Sequence, residues 1–588
     1  VQSLYTADGT NYNIAIGHQA MRQTTTGDFN TAVGYQSMYT NTTGAGNVGI
    51  GHQSMFSNTI GTQNTALGVQ SLYSNTNGAY NVAIGRQAAY NNTTGQYNCA
   101  VGHGALYSNT TGTGNIAIGL NAIRTNSVGI NNIGIGLDAL YTADATLTNI
   151  AIGHQAMRQT TTGDYNTVVG YQSLYSNTTG YNNTAVGGYA LYTNTYGYQN
   201  TALGISALYS NTTGTFNTAV GGRSLYTNTI GYYNTALGYN ALNNNVSGYQ
   251  NVAVGNATMG SNTNGFNNVG IGYQTLFTNL SGNNNVAIGI QAMYSSDSTY
   301  YNTAVGAYSL KSSTTGDYNT GIGNQALFTN TTGMDNTGIG FCALFGNTIG
   351  FENTAVGVDA MYTNITGSYN TAVGNYALYS NKSGHKNTAI GYEALFSSDS
   401  TYQNTVIGYR AMRTSGTGDL NTIVGYQAAY SATTAGMNVA LGGGALYSNV
   451  TGWESVAIGV DALSAAVGVG YNIAIGNRAG VSLTTGTQNV VVGPYAMYSS
   501  TTGRDNAVVG YSAMGFAPSG SGSYNAALGS YALYKNATGA DNNTAVGYQS
   551  MYNNTTGTTN VAVGGQSLFT STITQYNVAI GYRAMRQT

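Results

Sequence analysis

Four of the five histidines are the side chains in this sequence best suited to hold a metal, and their spacing is regular. His18, His52, His103 and His154 are separated by 34, 51 and 51 residues, which are all multiples of 17. If each 17-residue unit advances the chain by the ~4.8 Å between neighbouring β-strands, successive histidines lie roughly 10 to 15 Å apart. A zinc ion needs its nitrogen ligands ~2 Å away. We therefore interpret the histidines as solvated corner residues and expect no metal site.

The acidic side chains offer no pair for acid–base catalysis. Asp28, Asp164, Asp317 and Asp419 each follow the glycine of a turn and lie far apart in the chain. Cleavage of a glycoside needs two carboxylates roughly 5 to 10 Å apart. No Ser-His-Asp set, phosphate-binding loop or Cys-x-x-Cys motif can be assembled either. We expect no enzyme and no cofactor.

Five arginines occupy a place in the repeat that tyrosine usually holds: Arg22, Arg124, Arg158, Arg413 and Arg586. Both side chains are long and amphipathic, so arginine can lay its stem on the surface while its charged end stays in water. We interpret these arginines as structural and not as substrate-binding residues.

The turns carry a recurring Asn-Thr-Thr-Gly, which contains the Asn-x-Thr pattern of a glycosylation acceptor at Asn109, Asn177, Asn211 and Asn330. We interpret that match as a consequence of turn composition, since asparagine and glycine tolerate the positive φ that turns require. Regularly spaced threonines on a flat face can also order water, as in ice-binding proteins. We keep an ice-binding solenoid as a weaker alternative.

A repeat of 17 residues sets the position of all these side chains. Its core, typified by Asn30-Thr31-Ala32-Val33-Gly34, begins at Asn13 and returns every 17 residues as far as Asn506. Small insertions then place it at Asn525 and Asn543, after which the spacing of 17 resumes. The 34 copies all end their core in glycine, and all but one, at Ser455, begin it with asparagine. We call each copy a rung and count its asparagine as position 1.

Each rung reads as two short strands joined by a corner and a turn. Position 4 is Val, Ile or Leu in every copy and position 2 is usually Thr, Val or Ile, and these two share one side of a strand. Positions 3 and 5 are mostly alanine and glycine and share the other side. Positions 8 to 11, such as Ala105 to Ser108, predict a second strand. Helix is disfavoured, because β-branched residues, asparagine and glycine dominate.

A rung of this size cannot bury a core of its own, so the rungs must stack. The predicted fold is all-β, a parallel β-solenoid of about 34 rungs and roughly 160 Å in length. Stacking places like residues above one another. We expect a structural ladder that includes Asn13, Gly17, Asn30, Gly34, Asn47, Gly51, Asn64 and Gly68. We also expect exposed columns able to bind a ligand, represented by Tyr39, Tyr73, Tyr90 and Tyr107.

The composition of the chain limits the classes of partner and the domain organisation that we expect. Only 5% of the 588 residues are charged and the net charge is −2, which gives no footprint for nucleic acid or an anionic membrane. No apolar run approaches the ~18 residues of a membrane span, so we expect no membrane insertion in this segment. We expect residues 1–588 to form one continuous solenoid within a longer chain, with corner insertions near 516–522 and 541–542. Lateral association through the alanine and glycine face would supply further burial and favours a homo-oligomer, with a monomeric solenoid as the simpler alternative.

The cores at 251–255, 285–289 and 577–581 resemble the Asn-x-Val-Ala-Ile-Gly repeats in the heads of trimeric autotransporter adhesins. Repeats similar to Asn-Thr-Ala-Val-Gly also occur in phage tail fibres, and the longer consensus here resembles those more closely. The resemblance covers nearly all rungs, although a rung of 17 residues is longer than the adhesin unit. It implies a left-handed parallel β-roll, three chains side by side, and binding to cell surfaces or matrix.

Two functions of different kinds follow from these observations. The first is a structural shaft of an extracellular or virion-attached fibre, homotrimeric and without catalysis, which gives reach and stiffness. The second is an adhesin whose tyrosine and asparagine columns bind glycans or another cell-surface or matrix component along the length of the chain.

Overall fold

The strands of this protein are short, regular and evenly spaced. The structure is a computed structural model that describes residues 11–468, 470–517 and 520–587. These residues contain 34 strands of three residues each and no helix. The chain divides after residue 298 into two compact units. In each unit the strands pair in parallel with one strand per rung, so the predicted parallel β-solenoid is confirmed.

The first unit contains strands β1 to β17: Ile14–Ile16, Thr31–Val33, Val48–Ile50, Thr65–Leu67, Val82–Ile84, Cys99–Val101, Ile116–Ile118, Ile133–Ile135, Ile150–Ile152, Thr167–Val169, Thr184–Val186, Thr201–Leu203, Thr218–Val220, Thr235–Leu237, Val252–Val254, Val269–Ile271 and Val286–Ile288. The second unit contains strands β18 to β34: Thr303–Val305, Thr320–Ile322, Thr337–Ile339, Thr354–Val356, Thr371–Val373, Thr388–Ile390, Thr405–Ile407, Thr422–Val424, Val439–Leu441, Val456–Ile458, Ile473–Ile475, Val490–Val492, Ala507–Val509, Ala526–Leu528, Thr544–Val546, Val561–Val563 and Val578–Ile580.

Neighbouring strands pair at equivalent positions of successive rungs. In the first unit Thr31 lies opposite Val48 and Val33 opposite Ile50. The backbone N–H of Thr31 donates to the carbonyl of Asn47 at 2.8 Å. β-branched residues suit a pleated strand, and the glycine at position 5 ends it. The period of the sequence therefore appears directly as the register of the sheet.

The core is built from the small residues of the strand and the long residues of the following turn. Ala32 and Met38 are fully buried. A Cβ placed on Gly49 would lie 3.1 Å from Cε of Met38, so position 3 of one rung packs on position 9 of the preceding rung. Positions 2 and 4 lie on the outside instead. The expectation that the alanine and glycine face is free for lateral association is therefore wrong, because position 3 points into the core of the coil, even where it is β-branched as in the fully buried Val168 and Ile423.

The prediction of a second strand at positions 8 to 11 is also wrong. Gln36 and Met38 have φ of 51° and 46°, in the left-handed region, and the equivalent residues of other rungs share this conformation. A strand cannot accommodate left-handed residues at alternate positions. The backbone still bonds between rungs, since the N–H of Met38 donates to the carbonyl of Ser54 at 2.9 Å. The segment is thus a ladder of turns.

The turn itself also differs from the expectation. Asn41 and Gly44, at positions 12 and 15, do not have the positive φ that we expected of them. Positive φ falls instead on the last residue of the rung, such as Phe29 at 60°. The asparagine at position 12 is present because its side chain bonds within the stack, as described below.

The strand ladder continues through both insertions. Ala507 pairs with Ala526, and Ala526 pairs with Thr544. Of the insertion near 516–522, residues 518 and 519 lie outside the described residues. The prediction of a single domain over 1–588 remains a prediction.

Candidate functional site

The asparagine ladder consists of the position 1 side chains, and it is buried except at its first and last members, Asn13 and Asn577. Asn30, Asn47 and Asn64 are fully buried, whereas Asn13 is half-buried. The Oδ1 of Asn13 accepts the backbone N–H of Asn30 at 2.8 Å, and Oδ1 of Asn30 accepts that of Asn47 at 2.9 Å. The Nδ2 of Asn30 donates to the carbonyl of Gly44 at 2.8 Å. Each side chain therefore joins its own turn to the next rung.

The glycine ladder consists of the position 5 residues. Gly17, Gly34, Gly51 and Gly68 have φ between 129° and 143°, which only glycine adopts without strain. A Cβ on Gly34 would lie 2.4 Å from the carbonyl oxygen of Gly51. Close stacking of backbone on backbone explains why this residue does not vary.

A second asparagine ladder at position 12 was missed from the sequence, where we assigned it to turn propensity. The Nδ2 of Asn58 donates to Oδ1 of Asn41 at 2.7 Å, and that of Asn75 donates to Oδ1 of Asn58 at 2.7 Å. The regular recurrence of asparagine at this position was the available signal. The four Asn-x-Thr asparagines belong to this ladder and are fully buried, so they are inaccessible to glycosylation: Asn109, Asn177, Asn211 and Asn330.

The outer tyrosine column consists of the aromatic side chains at position 10. Tyr39, Tyr73, Tyr90 and Tyr107 are half-buried in it. The ring of Tyr73 lies between those of Phe56 and Tyr90, with centroid distances of 5.2 and 4.9 Å and near-parallel planes. Burial and the neighbouring hydroxyls of Tyr73 and Tyr107 raise the pKa of Tyr90. Inside the column a ligand can reach ring edges and hydroxyls but not ring faces.

The arginines at position 10 replace a ring of this column but still contact the neighbouring aromatic rings. Arg22 donates to the hydroxyl of Tyr39, and its guanidinium lies 5.4 Å from the centre of that ring. Arg124 lies 5.0 Å from the ring centre of Tyr107. Cation–π contact of this kind contributes about 0.5 to 1 kcal/mol at an exposed site. These contacts agree with a structural role for the arginines.

One charged cluster surrounds Glu393 in the second unit. The carboxylate accepts from Nε of Arg410 at 2.8 Å and from Nε of Arg413 at 2.5 Å. Burial raises the pKa of Glu393, but hydrogen bonds from Arg413, Tyr392 and Arg410 outweigh burial, and the pKa lies below its ordinary value. The folded state therefore favours the charged carboxylate.

We predict that Glu393→Gln lowers the free energy of unfolding by about 1 to 2 kcal/mol at neutral pH, since charge-assisted hydrogen bonds are lost. Because the folded pKa is lowered, the contribution of Glu393 is present above the unfolded pKa of about 4.3 and is lost as pH falls through the folded value. Urea unfolding of the wild type and the variant at pH 7 and pH 3 measures both effects.

The matched control for this substitution is Asp399→Asn, which removes the exposed ion pair with Lys382 at 3.3 Å. An exposed pair contributes less than about 1 kcal/mol. Equal effects of the two variants at pH 7 would contradict the assigned role of Glu393.

The histidines of position 6 and the aspartates that follow the turn glycines do not form a common site. The imidazoles of His18 and His52 flank the ring of Tyr35, each at 5.3 Å, and so do not meet. The four aspartates accept backbone N–H groups of the preceding rung, as Asp164 does from Leu147 at 2.8 Å. Among the described residues, no group of three or more histidine, cysteine or acidic side chains could hold a metal ion.

The outer sheet face consists of the position 2 and position 4 side chains. Position 4 forms an apolar row in which Ile84 and Ile118 are each 38% exposed. Position 2 is threonine in eight successive strands, β18 to β25. In the described part of the chain these threonine hydroxyls make no hydrogen bond to protein, whereas turn hydroxyls do, as Thr42 donates to the carbonyl of Thr59 at 2.9 Å. This face is regular, and its side chains are partly exposed in the single chain.

The described residues contain no helix with the length and apolar character needed to cross a membrane. A comparison with protein-family models gives no match, and a comparison with curated proteins gives none either.

Proposed function

We propose that this chain is a structural shaft of an extracellular or virion-attached fibre, without catalytic activity and assembled as a homotrimer. The observation that carries the proposal is the repetition of the same bonds from rung to rung. Within each unit, backbone hydrogen bonds join every described rung to its neighbour, and two asparagine ladders and stacked aromatic rings reinforce many of these junctions. Identical bonds between successive rungs make each unit uniformly resistant to bending and stretching. A catalytic site would instead need a set of residues that occurs at one place in the chain.

The proposed self-association uses the outer sheet face. Its apolar row repeats in every strand of each unit, so a long stripe of partly exposed aliphatic side chains faces solvent in the single chain. Such a stripe is a feature of protein interfaces. In a side-by-side trimer, the row of each chain would cover the rows of the other two. The resemblance to trimeric fibre proteins supports the same arrangement.

We predict that lysine at Ile84, Ile118 and Ile152 together dissociates the oligomer, because three charges would be buried in an apolar interface. Light scattering after gel filtration should show a fall from three chains of 60.8 kDa to one. Alternate rungs are chosen so that the new charges are two rungs apart and the fold is retained.

The matched control places lysine at Thr94, Val128 and Thr162, which are exposed turn residues of the same three rungs. This control should leave the oligomer intact. A wild-type chain that is monomeric at micromolar concentration, or a control that dissociates it equally, would contradict the interface.

The shaft itself is tested by electron microscopy of the purified chain with measurement of mass per unit length. Stiff rods with the mass of three chains in cross-section support the proposal, and globular particles contradict it. Glycan binding along the whole length is the less favoured function, since sugar rings stack on the faces of aromatic side chains and those faces are covered within the columns.

A second candidate is ice binding, and the open threonine hydroxyls of β18 to β25 are the observation that favours it. Hydroxyls repeated at the strand spacing of ~4.8 Å can hold water molecules in a fixed array. The same face cannot also be buried in a trimer. Thermal hysteresis of the purified protein tests this candidate, and its absence in a protein of measured monomeric state excludes it.

A further inference from the structure

Two aromatic columns of the second unit are interrupted in adjacent rungs. At position 6 the ring of Tyr426 stacks on Tyr409 at 5.4 Å, but the next rung has Gly443 there. At position 10 the ring of Tyr447 stacks on Tyr430 at 5.2 Å, and the next rung has Ser464. In the described chain no second ring stacks on Tyr426 or Tyr447. Each therefore has one uncovered face.

These two faces border a cavity of about 490 Å³, which we call the glycine notch. Between them lie the position 7 residues Gln427, Gly444 and Asp461, with hydroxyls of Ser448 and Ser464 on the same wall. Ligand sites in proteins commonly have volumes of about 300 to 1,000 Å³. The notch is thus large enough for a small ligand.

The polar side chains of the notch have hydrogen-bond donors and acceptors that protein groups do not use. Glutamine side chains elsewhere at position 7 bond to one another, as Gln36 donates to Gln19 at 3.0 Å. The amide of Gln427 has no such protein partner in the described residues, because the preceding rung has Arg410, which can only donate, and the next rung has Gly444. The carboxylate of Asp461 faces Arg478 at 3.5 Å and retains acceptor positions. The notch therefore offers donors and acceptors beside two apolar ring faces.

Another interruption of the same kind is filled by protein. Gly188 also lacks a side chain at position 6, but the ring of Tyr189 at position 7 contacts that of Tyr171 in a T-shaped arrangement, with centroids 5.3 Å apart and planes at 73°. The rung of Gly443 has glycine at both positions, so nothing fills the space. The notch results from the pair of glycines and not from a missing ring alone.

We infer that the glycine notch binds a neutral saccharide. The C–H bonds of a sugar ring carry partial positive charge and pack on the electron-rich face of an aromatic ring. Hydroxyl groups of the sugar would donate to Asp461 and accept from Gln427 and the two serines. A quaternary ammonium ion also packs on ring faces. Arg478 already compensates the charge of Asp461, and a cation would leave the amide and serine donors unused, so the saccharide fits better.

The test uses the full chain on a glycan array, followed by saturation-transfer NMR with the oligosaccharides that bind. Gly443→Tyr continues the column into the notch and should weaken binding more than tenfold, as should Tyr426→Ala. A Cβ on Gly443 meets only the carbonyl oxygen of Tyr426, at 3.8 Å, so the tyrosine can be accommodated. Circular dichroism checks that the fold is retained.

The control is Asn256→Tyr, an exposed position 6 residue of the first unit between Tyr239 and Tyr273 of the neighbouring rungs, where the notch is untouched. It should bind as the wild type does. Failure of the wild type to bind any glycan above the Gly443→Tyr background would overturn the inference. So would binding that Gly443→Tyr leaves unchanged, or a preference for choline over every saccharide. None of these outcomes depends on the shaft proposal, since a shaft needs no such site.

Discussion

Replacing Gly102 by alanine is expected to disrupt the rungs on either side of it at a cost of about 3 to 5 kcal/mol. Gly102 has φ of 131°, and a Cβ there would lie 2.4 Å from the carbonyl oxygen of Gly119 and 2.7 Å from its carbon. Both atoms belong to the backbone of the next rung and cannot move aside without breaking the strand pairing. Backbone strain and steric overlap therefore add.

Hydrogen exchange measures the effect where it arises. The N–H of Gly102 donates to the carbonyl of Ile84 at 2.8 Å, and that of Gly119 donates to the carbonyl of Val101 at 2.7 Å. Each rung contacts only its neighbours, so protection should fall over a few rungs and stay high further away. A uniform fall along the whole unit would show that the stack unfolds as one body and would contradict this local account.

Gly443→Ala is the matched control for the glycine ladder. Its φ is not positive and the nearest atom to a new Cβ is 3.8 Å away. Alanine there should change the free energy of unfolding by less than about 1 kcal/mol, in the stabilising direction, because it restricts the unfolded chain. If both substitutions had the same effect, the position 5 glycine would not be required for stacking.

The register of this fold is predictable because the period of the sequence is also the period of the structure. Once Asn30 and Asn47 are recognised as equivalent, parallel pairing of Thr31 with Val48 follows from stacking. Amide ladders and aromatic columns follow too, since like residues then lie one rung apart. A single sequence usually does not tell which residues distant in the chain are neighbours in the fold. Here the repeat does, because equivalent positions of successive rungs lie next to each other.

The inside and the outside of the coil could not be predicted in the same way. In each three-residue strand the side chains of positions 2 and 4 point to one side and that of position 3 to the other. Positions 2 and 4 are bulkier, so the usual expectation that bulky apolar side chains are buried would place them in the core. In the structure position 3 is the buried one. The decision depends on how much room lies opposite the strand, and Met38 already occupies that room. Only the conformation of positions 7 to 9, with alternate left-handed residues, shows that Met38 points inward.

The glycine notch was invisible to sequence reasoning for a related reason. A glycine at position 6 occurs in other rungs, and its consequence depends on whether a neighbouring ring fills the space. Tyr189 does so beside Gly188, and nothing does so beside Gly443. The effect of a residue that departs from the repeat, such as glycine at position 6, can therefore be judged only when its neighbours in the structure are known.

Asn64→Asp is expected to destabilise the stack by about 3 to 5 kcal/mol at pH 7, although it changes only one atom of the side chain. The Nδ2 of Asn64 donates to the carbonyl of Gly78 at 2.8 Å and to Oδ1 of Asn47 at 3.1 Å. An aspartate oxygen in its place would face two acceptors in a fully buried site. Desolvation and repulsion then both oppose the charged form.

Desolvation and repulsion of the charged carboxylate also determine how the stability of Asn64→Asp depends on pH. The pKa of the new carboxyl should be higher in the folded state than its unfolded value of about 3.9, so the folded state binds the proton more tightly. The penalty is then smallest below that unfolded value and grows as pH rises through the folded pKa. Asn77→Asp, an exposed substitution in the same rung, should show no such trend between pH 3 and pH 7. Parallel urea unfolding of the two variants at pH 3 and pH 7 decides the matter, because only a buried carboxyl should lose stability as the pH rises.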